Sequence, residues 1–243
     1  MTERSRRAKL RIRPNPDGLW SDEPMDQQRL DRAEIVRVAL ELLESQGVDA
    51  FSMRGLATAL NIKSPSLYWH VRSKDELYDL VVDAVLGECD MPEDDAEGDW
   101  RTQLAEIARE MRRVLLLHPA ATRLLTGRVP LGPNWLRIAE SVIGTLRRAH
   151  FGDRLAGYCY LVLLYYAIGF VSQEVAFGQG AEGRVRLDQM REFFAGLPGD
   201  RYPNVTAVAG GLAERGLSDR FELGLNGILG GFSEELAAEH GDA

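Results

Sequence analysis

The chain has 243 residues, 45% of them apolar, which is enough to bury a large core in one to two domains. Two cysteines, Cys89 and Cys159, are too few for a disulfide framework. The formal charge of −8 at pH 7 is unevenly spread: residues 1–80 hold 13 Lys/Arg and 13 Asp/Glu, so residues 81–243 carry all of it. Phosphate is bound by local charge on one face, so an acidic total does not exclude a nucleic-acid partner. The longest apolar run, 158–171, has 14 residues and reads as a buried helix rather than a membrane span. No signal peptide opens the chain, and the expected location is the cytoplasm.

An arm of 28 residues comes first. Six basic residues fall among its first thirteen, followed by Pro14, Pro16 and Gly18, a composition that cannot fold alone. Arg4, Arg6, Arg7, Lys9, Arg11 and Arg13 either solubilise the chain or order on DNA, along phosphates or in a minor groove. Asp31 and Glu34 then form a capping box for a helix with Ile35, Val38, Ala39, Leu42 and Leu43 on one face, ending at Gly47.

Residues 52–71 carry the most specific pattern. Ser52, behind Phe51, caps a short helix with Met53, Leu56, Ala57 and Leu60 at helical spacing. Asn61 tolerates the left-handed conformation that ends a helix. Ser64 caps a second helix that starts at Pro65, where a missing N–H costs nothing. Two helices joined this tightly read as a helix-turn-helix. Leu67 and Val71 anchor the second helix inward, leaving Ser66, Tyr68, Trp69 and His70 to point elsewhere. The two aromatic rings either pack against neighbouring helices or stand exposed, and exposed aromatics signal a partner. Their rings and hydroxyls suit phosphates and thymine methyls, while Ser66 and His70 suit base edges or backbone. Arg54, Lys63, Arg72 and Lys74 bracket them with phosphate-seeking charge. The candidate DNA-binding residues are therefore Arg54, Lys63, Ser64, Pro65, Ser66, Tyr68, Trp69, His70 and Lys74, joined by Arg4, Arg6, Arg7 and Arg11 of the arm.

Ser73 and Glu76 cap the next helix, with Leu77, Leu80, Val81, Ala84 and Val85 inward. Between Glu88 and Asp99 stand seven carboxylates in twelve residues without a base, a solvated loop between two domains. Helical patterns follow from Trp100 to His118, Pro133 to Ala149, Asp153 to Phe177 and Ser218 to Glu239, with shorter pieces near 120–126, 187–195 and 202–214. No alternating strand pattern competes, so the fold class is all-α. Gly178 to Gly183 matches G-x-G-x-x-G, yet it follows a long helix and opens no βαβ unit; it reads as a flexible loop. Gly224, Gly227 and Gly231 would be costly in a solvated helix. Together with the apolar helix from Asp153 they suggest a four-helix interface between two copies of the chain. The four histidines lack metal-ligand spacing and any nucleophile partner, so no metal, cofactor or enzyme activity is expected.

The run Leu67-Tyr-Trp-His-Val71 with Lys74, the segment Arg29-Leu-Asp-Arg32, Ala39-Leu-Glu-Leu-Leu43 and Phe221-Glu-Leu-Gly-Leu225 resemble the TetR family of transcriptional regulators, in its tetracycline-repressor branch. The resemblance implies an arm at 1–28, a three-helix DNA-binding domain at 29–74 and a helical ligand-binding and dimerisation domain at 75–243. It further implies a homodimer that represses from a palindromic operator until a small molecule shifts the helix starting near Ser73. Two reading helices held roughly 34–36 Å apart would enter successive major grooves. The positions that the resemblance places at the ligand pocket are Ile107, Met111, His118, Leu125, Arg128, Val129, Pro130, Trp135, Ile138, Ser141, Tyr165, Tyr166 and Gln173.

Departures from the branch bear on the effector. Leu125 stands where tetracycline repressors place a metal-ligating histidine, Gln173 replaces a glutamate, and Ile107 replaces an amide. Magnesium-bound tetracycline is therefore not the expected effector; a more apolar, polycyclic or antibiotic-like molecule is. His118 also reads as a helix C-terminal cap. The rival reading is a helical small-molecule-binding protein that does not read DNA.

Overall fold

The computed structural model describes residues 31–92, 99–128, 131–178, 180–214 and 216–241. Among them all regular structure is helical: α1 (Arg32–Gln46), α2 (Met53–Ala59), α3 (Ser64–His70), α4 (Lys74–Leu86), α5 (Trp100–Leu117), α6 (Pro119–Leu125), α7 (Pro133–Arg148), α8 (Asp153–Phe177), α9 (Gly180–Ala195), α10 (Pro203–Leu212) and α11 (Leu217–Gly241). The arm, most of the acidic run, Val129 and Pro130 lie outside the described residues.

The helix starts follow from side chains that satisfy otherwise orphaned backbone N–H groups. The Asp31 carboxylate accepts from Ala33 N, the Ser52 hydroxyl from Gly55 N, and the Ser73 hydroxyl from Glu76 N. Two caps differ from expectation. Glu34 does not close a capping box but grips Arg37 at 2.5 and 2.8 Å, one turn on. At α3 the cap residue is Lys63, which lends only its carbonyl, to Ser66 N at 2.9 Å, and Ser64 is already helical. Asn61 takes φ +54° as foreseen, and His150 turns the chain between α7 and α8 at φ +68°.

Residues 180–183 of the glycine motif are helical rather than a loop. Helix α9 begins at Gly180, seven residues before its expected start, and Arg186 returns to the carbonyl of Ala176 and to Glu182. Gly183 is required there: a Cβ would meet the Gly178 carbonyl oxygen at 2.4 Å.

Two compact units divide the chain, residues 1–168 and 169–243. In the first, α1 packs on α2, α4 and α6, and α4 in turn on α5, α6 and α7. Ile35, Leu43, Leu56, Leu67, Val71, Leu77 and Val81 are fully buried and form the core under α3. Burial of such a side chain stabilises by about 1.5–3 kcal/mol. In the second unit, Phe221, Leu225, Leu229 and Phe232 form a buried stripe on α11, and Phe170 meets Phe221 edge to face at 5.3 Å. Helix α10 has no buried residue.

Helix α8 departs from the buried helix that its composition suggested. Tyr158, Leu161, Val162 and Tyr165, spaced i, i+3, i+4, i+7, are all exposed. Its length and apolar character would suffice to cross a membrane, but an exposed stripe on an otherwise packed helix is equally the mark of a helical partner.

Candidate nucleic-acid interface

Helix α3 is seven residues long and buries one of them, Leu67. Leu67 and Val71 are both fully buried, so the helix is pinned along one edge. The opposite face is unusual: Trp69 is 88% exposed and Tyr68 48%. Two large aromatic side chains in water on a helix too short to need them for packing argue against the core alternative. Pro65 and Ser66 are also exposed, and Ser64 and His70 are half-buried. Arg54, Lys63 and Arg72, from α2 and the two ends of α3, are exposed beside this face.

The orientation of α3 is held by residues that sequence reading missed. Arg32, the first residue of α1, donates to the His70 carbonyl at 2.9 Å and so holds the C-terminus of α3. The same guanidinium lies 3.7 Å from Glu76, whose other oxygen accepts from Arg72 N at 2.7 Å. A basic group at a helix C-terminus is favourable, but a partner 38 residues away leaves no local sequence signal. Lys74 is drawn inward: its ammonium donates to the Phe51 carbonyl at 2.8 Å and lies over the Phe51 and Tyr78 rings.

The expected ligand-facing positions scatter. Ile107 and Met111 on α5, Leu125 on α6 and Trp135, Ile138 and Ser141 on α7 are buried in the first unit, where these helices pack together. His118, between α5 and α6, bonds through Nε2 to Glu88 at 3.0 Å. Arg128 is engaged by Asp75 and Asp79 of α4. Tyr165 is 65% exposed, and Tyr166 is half-buried. Gln173 belongs to the second unit, where it lines an open cleft of about 540 Å³ with Phe170, Phe177, Leu187 and Met190. Arg4, Arg6, Arg7, Arg11, Val129 and Pro130 fall outside the described residues. Polar groups not foreseen also sit inside the first unit: the Thr145 hydroxyl is 3.2 Å from Gln103 Oε1, and Tyr160 stands edge-on to Trp135 at 6.5 Å. Burial pushes the Tyr160 phenol up to about 12, so it stays a neutral hydrogen-bonding group.

Residues 35–81 match the model of bacterial regulatory proteins of the tetR family, and residues 91–236 that of the tetracyclin repressor-like C-terminal domain. The chain belongs to the TetR family of transcriptional regulators. An HTH-type transcriptional regulator of Saccharopolyspora erythraea is 40% identical over 163 residues, covering 65% of this chain and 68% of that one. The class C tetracycline repressor of Escherichia coli is 31% identical over 209 residues, 85% of this chain and 92% of its own length. Among solved structures, ActR of Streptomyces coelicolor in complex with actinorhodin is similar at a TM-score of 0.78 with 37% identity, covering 85% of this chain and 98% of that chain. The helix-turn-helix, DNA-binding and ligand-binding character of a TetR-type regulator thus applies to this chain.

Proposed function

We propose that this TetR-type regulator is a repressor that binds a palindromic operator as a homodimer and lets go when a largely apolar, polycyclic molecule occupies its C-terminal body. The observation that carries the reading is the solvent-facing tip of α3, where Trp69 is 88% and Tyr68 48% exposed. Rings and hydroxyls there meet thymine methyls and phosphates, Ser66 and His70 reach base edges or backbone, and Arg54, Lys63 and Arg72 supply charge. Ser64, Pro65 and Lys74 set the start of α3 and the turn after it. The DNA-binding domain spans 29–74, the body 75–243, and the arm at 1–28 adds phosphate contacts through Arg4, Arg6, Arg7 and Arg11.

Two copies meet through α8 and α11. The exposed stripe Tyr158, Leu161, Val162 and Tyr165 on α8 supports this, because such a surface in water favours burial against a second copy. The action is by binding and release rather than catalysis, in the cytoplasm.

For the effector, the buried apolar set Ile107, Met111, Leu125, Trp135 and Ile138 supports an apolar ligand, oriented by a few polar groups such as Ser141 and His118. Val129, Pro130, Tyr165 and Tyr166 are further positions carried over from the family; Arg128 and Gln173, also carried over, are engaged by α4 and line a cleft of the second unit respectively. The structure of ActR with actinorhodin supports a polycyclic aromatic class here. Near-complete switching demands roughly 10⁴-fold preference, about 5.5 kcal/mol, for the released form. Titrating a labelled duplex from upstream of the chain's own gene at fixed salt, with and without actinorhodin and apolar polycyclic compounds, tests the reading. A specific shift reversed by one of them supports it; equal affinity for that duplex and a scrambled one defeats it.

A further inference from the structure

Helix α4 joins the DNA-reading tip to the rest of the first unit, and its two ends are fastened by different chemistry. At the C-terminal end the ties are buried. The Asp83 carboxylate accepts from Asn134 N at 3.1 Å, Asn134 Nδ2 at 3.0 Å and Trp135 N at 3.0 Å, capping α7 from another helix. The fit is close: a Cβ on Gly132 would come within 2.2 Å of that carboxylate. Arg137 of α7 reaches back to the carbonyls of Leu86 at 3.3 Å and Cys89 at 3.1 Å. Breaking a buried hydrogen bond to a charged group strands its partners away from water, so this end does not let go.

At the N-terminal end Lys74 and Glu76 hold α4 to the DNA-reading helices, and the charged tie toward the body runs through one residue. Arg128, between α6 and α7, forks to Asp75 at 2.5 Å and Asp79 at 3.2 Å. Its guanidinium also lies 5.3 Å from the centre of the Tyr78 ring, as does the Lys74 ammonium. Both carboxylates are exposed while the Arg128 side chain is 28% exposed, so water weakens this pair relative to the buried ties at the other end. Asp75 precedes Asp83 by eight residues, roughly 12 Å at 1.5 Å per residue. A weak tie that far from a strong one makes α4 a lever fixed at one end and latched at the other.

We propose that Arg128 is a positioning residue for DNA reading: by clamping the first two turns of α4, it holds α3 at a fixed attitude to the body, and it contacts α4 rather than the effector. This rests on the two-copy DNA-reading function proposed above. The clamp narrows the spread of distances between the two α3 tips in a dimer, so fewer conformers must be frozen out on DNA.

The test uses the full chain carrying a nitroxide at Ala59→Cys, an exposed site at the end of α2, and pulsed dipolar spectroscopy without DNA or effector. The unaltered clamp should give one narrow inter-tip distance. Arg128→Ala should broaden it about twofold with only a small fall in melting temperature, since the carboxylate partners are exposed, and Arg128→Lys, which keeps charge but not the fork, should fall between. Reversing all three charges (Asp75→Lys, Asp79→Lys, Arg128→Glu) should restore the narrow distribution. Equal widths, broadening that the reversal leaves in place, or a collapsed melting transition would each overturn the clamp. If the protein with its clamp intact gives no inter-tip distance at all, the two-copy reading fails instead. The clamp is then judged on the single chain: Arg128→Ala must speed amide exchange in α3 and the first turn of α4, and unchanged exchange rejects it.

Discussion

Helices α3 and α7 treat their polar residues in opposite ways. On α7, Asn134, Ser141 and Thr145 are buried, and Asn134 and Thr145 are paired inside the protein, to Asp83 and Gln103. On α3, Ser66, Tyr68 and Trp69 are exposed to water, Trp69 almost wholly. A buried polar group left unpaired costs about 1–3 kcal/mol, so α7 is made of residues that complete the protein. The outer face of α3 is made of residues that something else must complete. Stability should therefore depend on α7 and on the inner edge of α3, and recognition on the outer edge.

That division can be broken by substitution, beginning with the largest effect. Leu67→Ala should cost about 2–5 kcal/mol of stability in denaturant melts, because it opens a cavity at the single buried position of α3. A loss below that range would mean that α3 is not pinned as described. Asp83→Ala should cost about 2–4 kcal/mol by stranding the N–H groups of Asn134 and Trp135. Burial raises the Asp83 carboxyl above its ordinary value. The folded form then holds a proton at higher pH than the unfolded chain does, so this group favours the fold at low pH and that contribution is lost as pH rises from about 4. Asp83→Asn, which cannot titrate, should accordingly lose less stability relative to the native protein as pH is raised from 4 to 7; a widening gap would contradict the assignment.

Smaller effects sharpen the other side of the comparison. Trp69→Ala should leave the melting temperature unchanged while weakening DNA binding by about 1–3 kcal/mol in a duplex titration. A stability loss with unchanged binding would place Trp69 in the core instead. Ser52→Ala removes the side-chain cap of α2 and should cost about 1 kcal/mol, with DNA preference intact.

The same contrast explains what could be read from the chain alone. The two short helices were legible because their punctuation is local: Ser52, Asn61, Pro65 and Ser73 each act within a few residues of themselves. Leu67 and Val71 facing inward left Tyr68 and Trp69 outside by elimination. The fastening of α4 was not legible. Asp83 and Asn134 are 51 residues apart, and Arg128 lies 53 from Asp75, so only the packing of α4 against α6 and α7 brings them together. Arg128, placed at the ligand pocket by resemblance, is paired with α4 for that reason. The early start of α9 was hidden because a glycine-rich run reads as a loop unless a close approach, here of Gly183 to Gly178, demands glycine inside a helix.

Footprinting on duplexes selected from a randomised pool, with the number of bound chains counted by light scattering, bears most directly on the central claim. The expected result is a two-fold symmetric site with half-sites about one helical turn apart, two chains per duplex, and loss of the footprint in Tyr68→Ala/Trp69→Ala. A single bound chain, an asymmetric site, or a footprint that survives removal of both rings would contradict it.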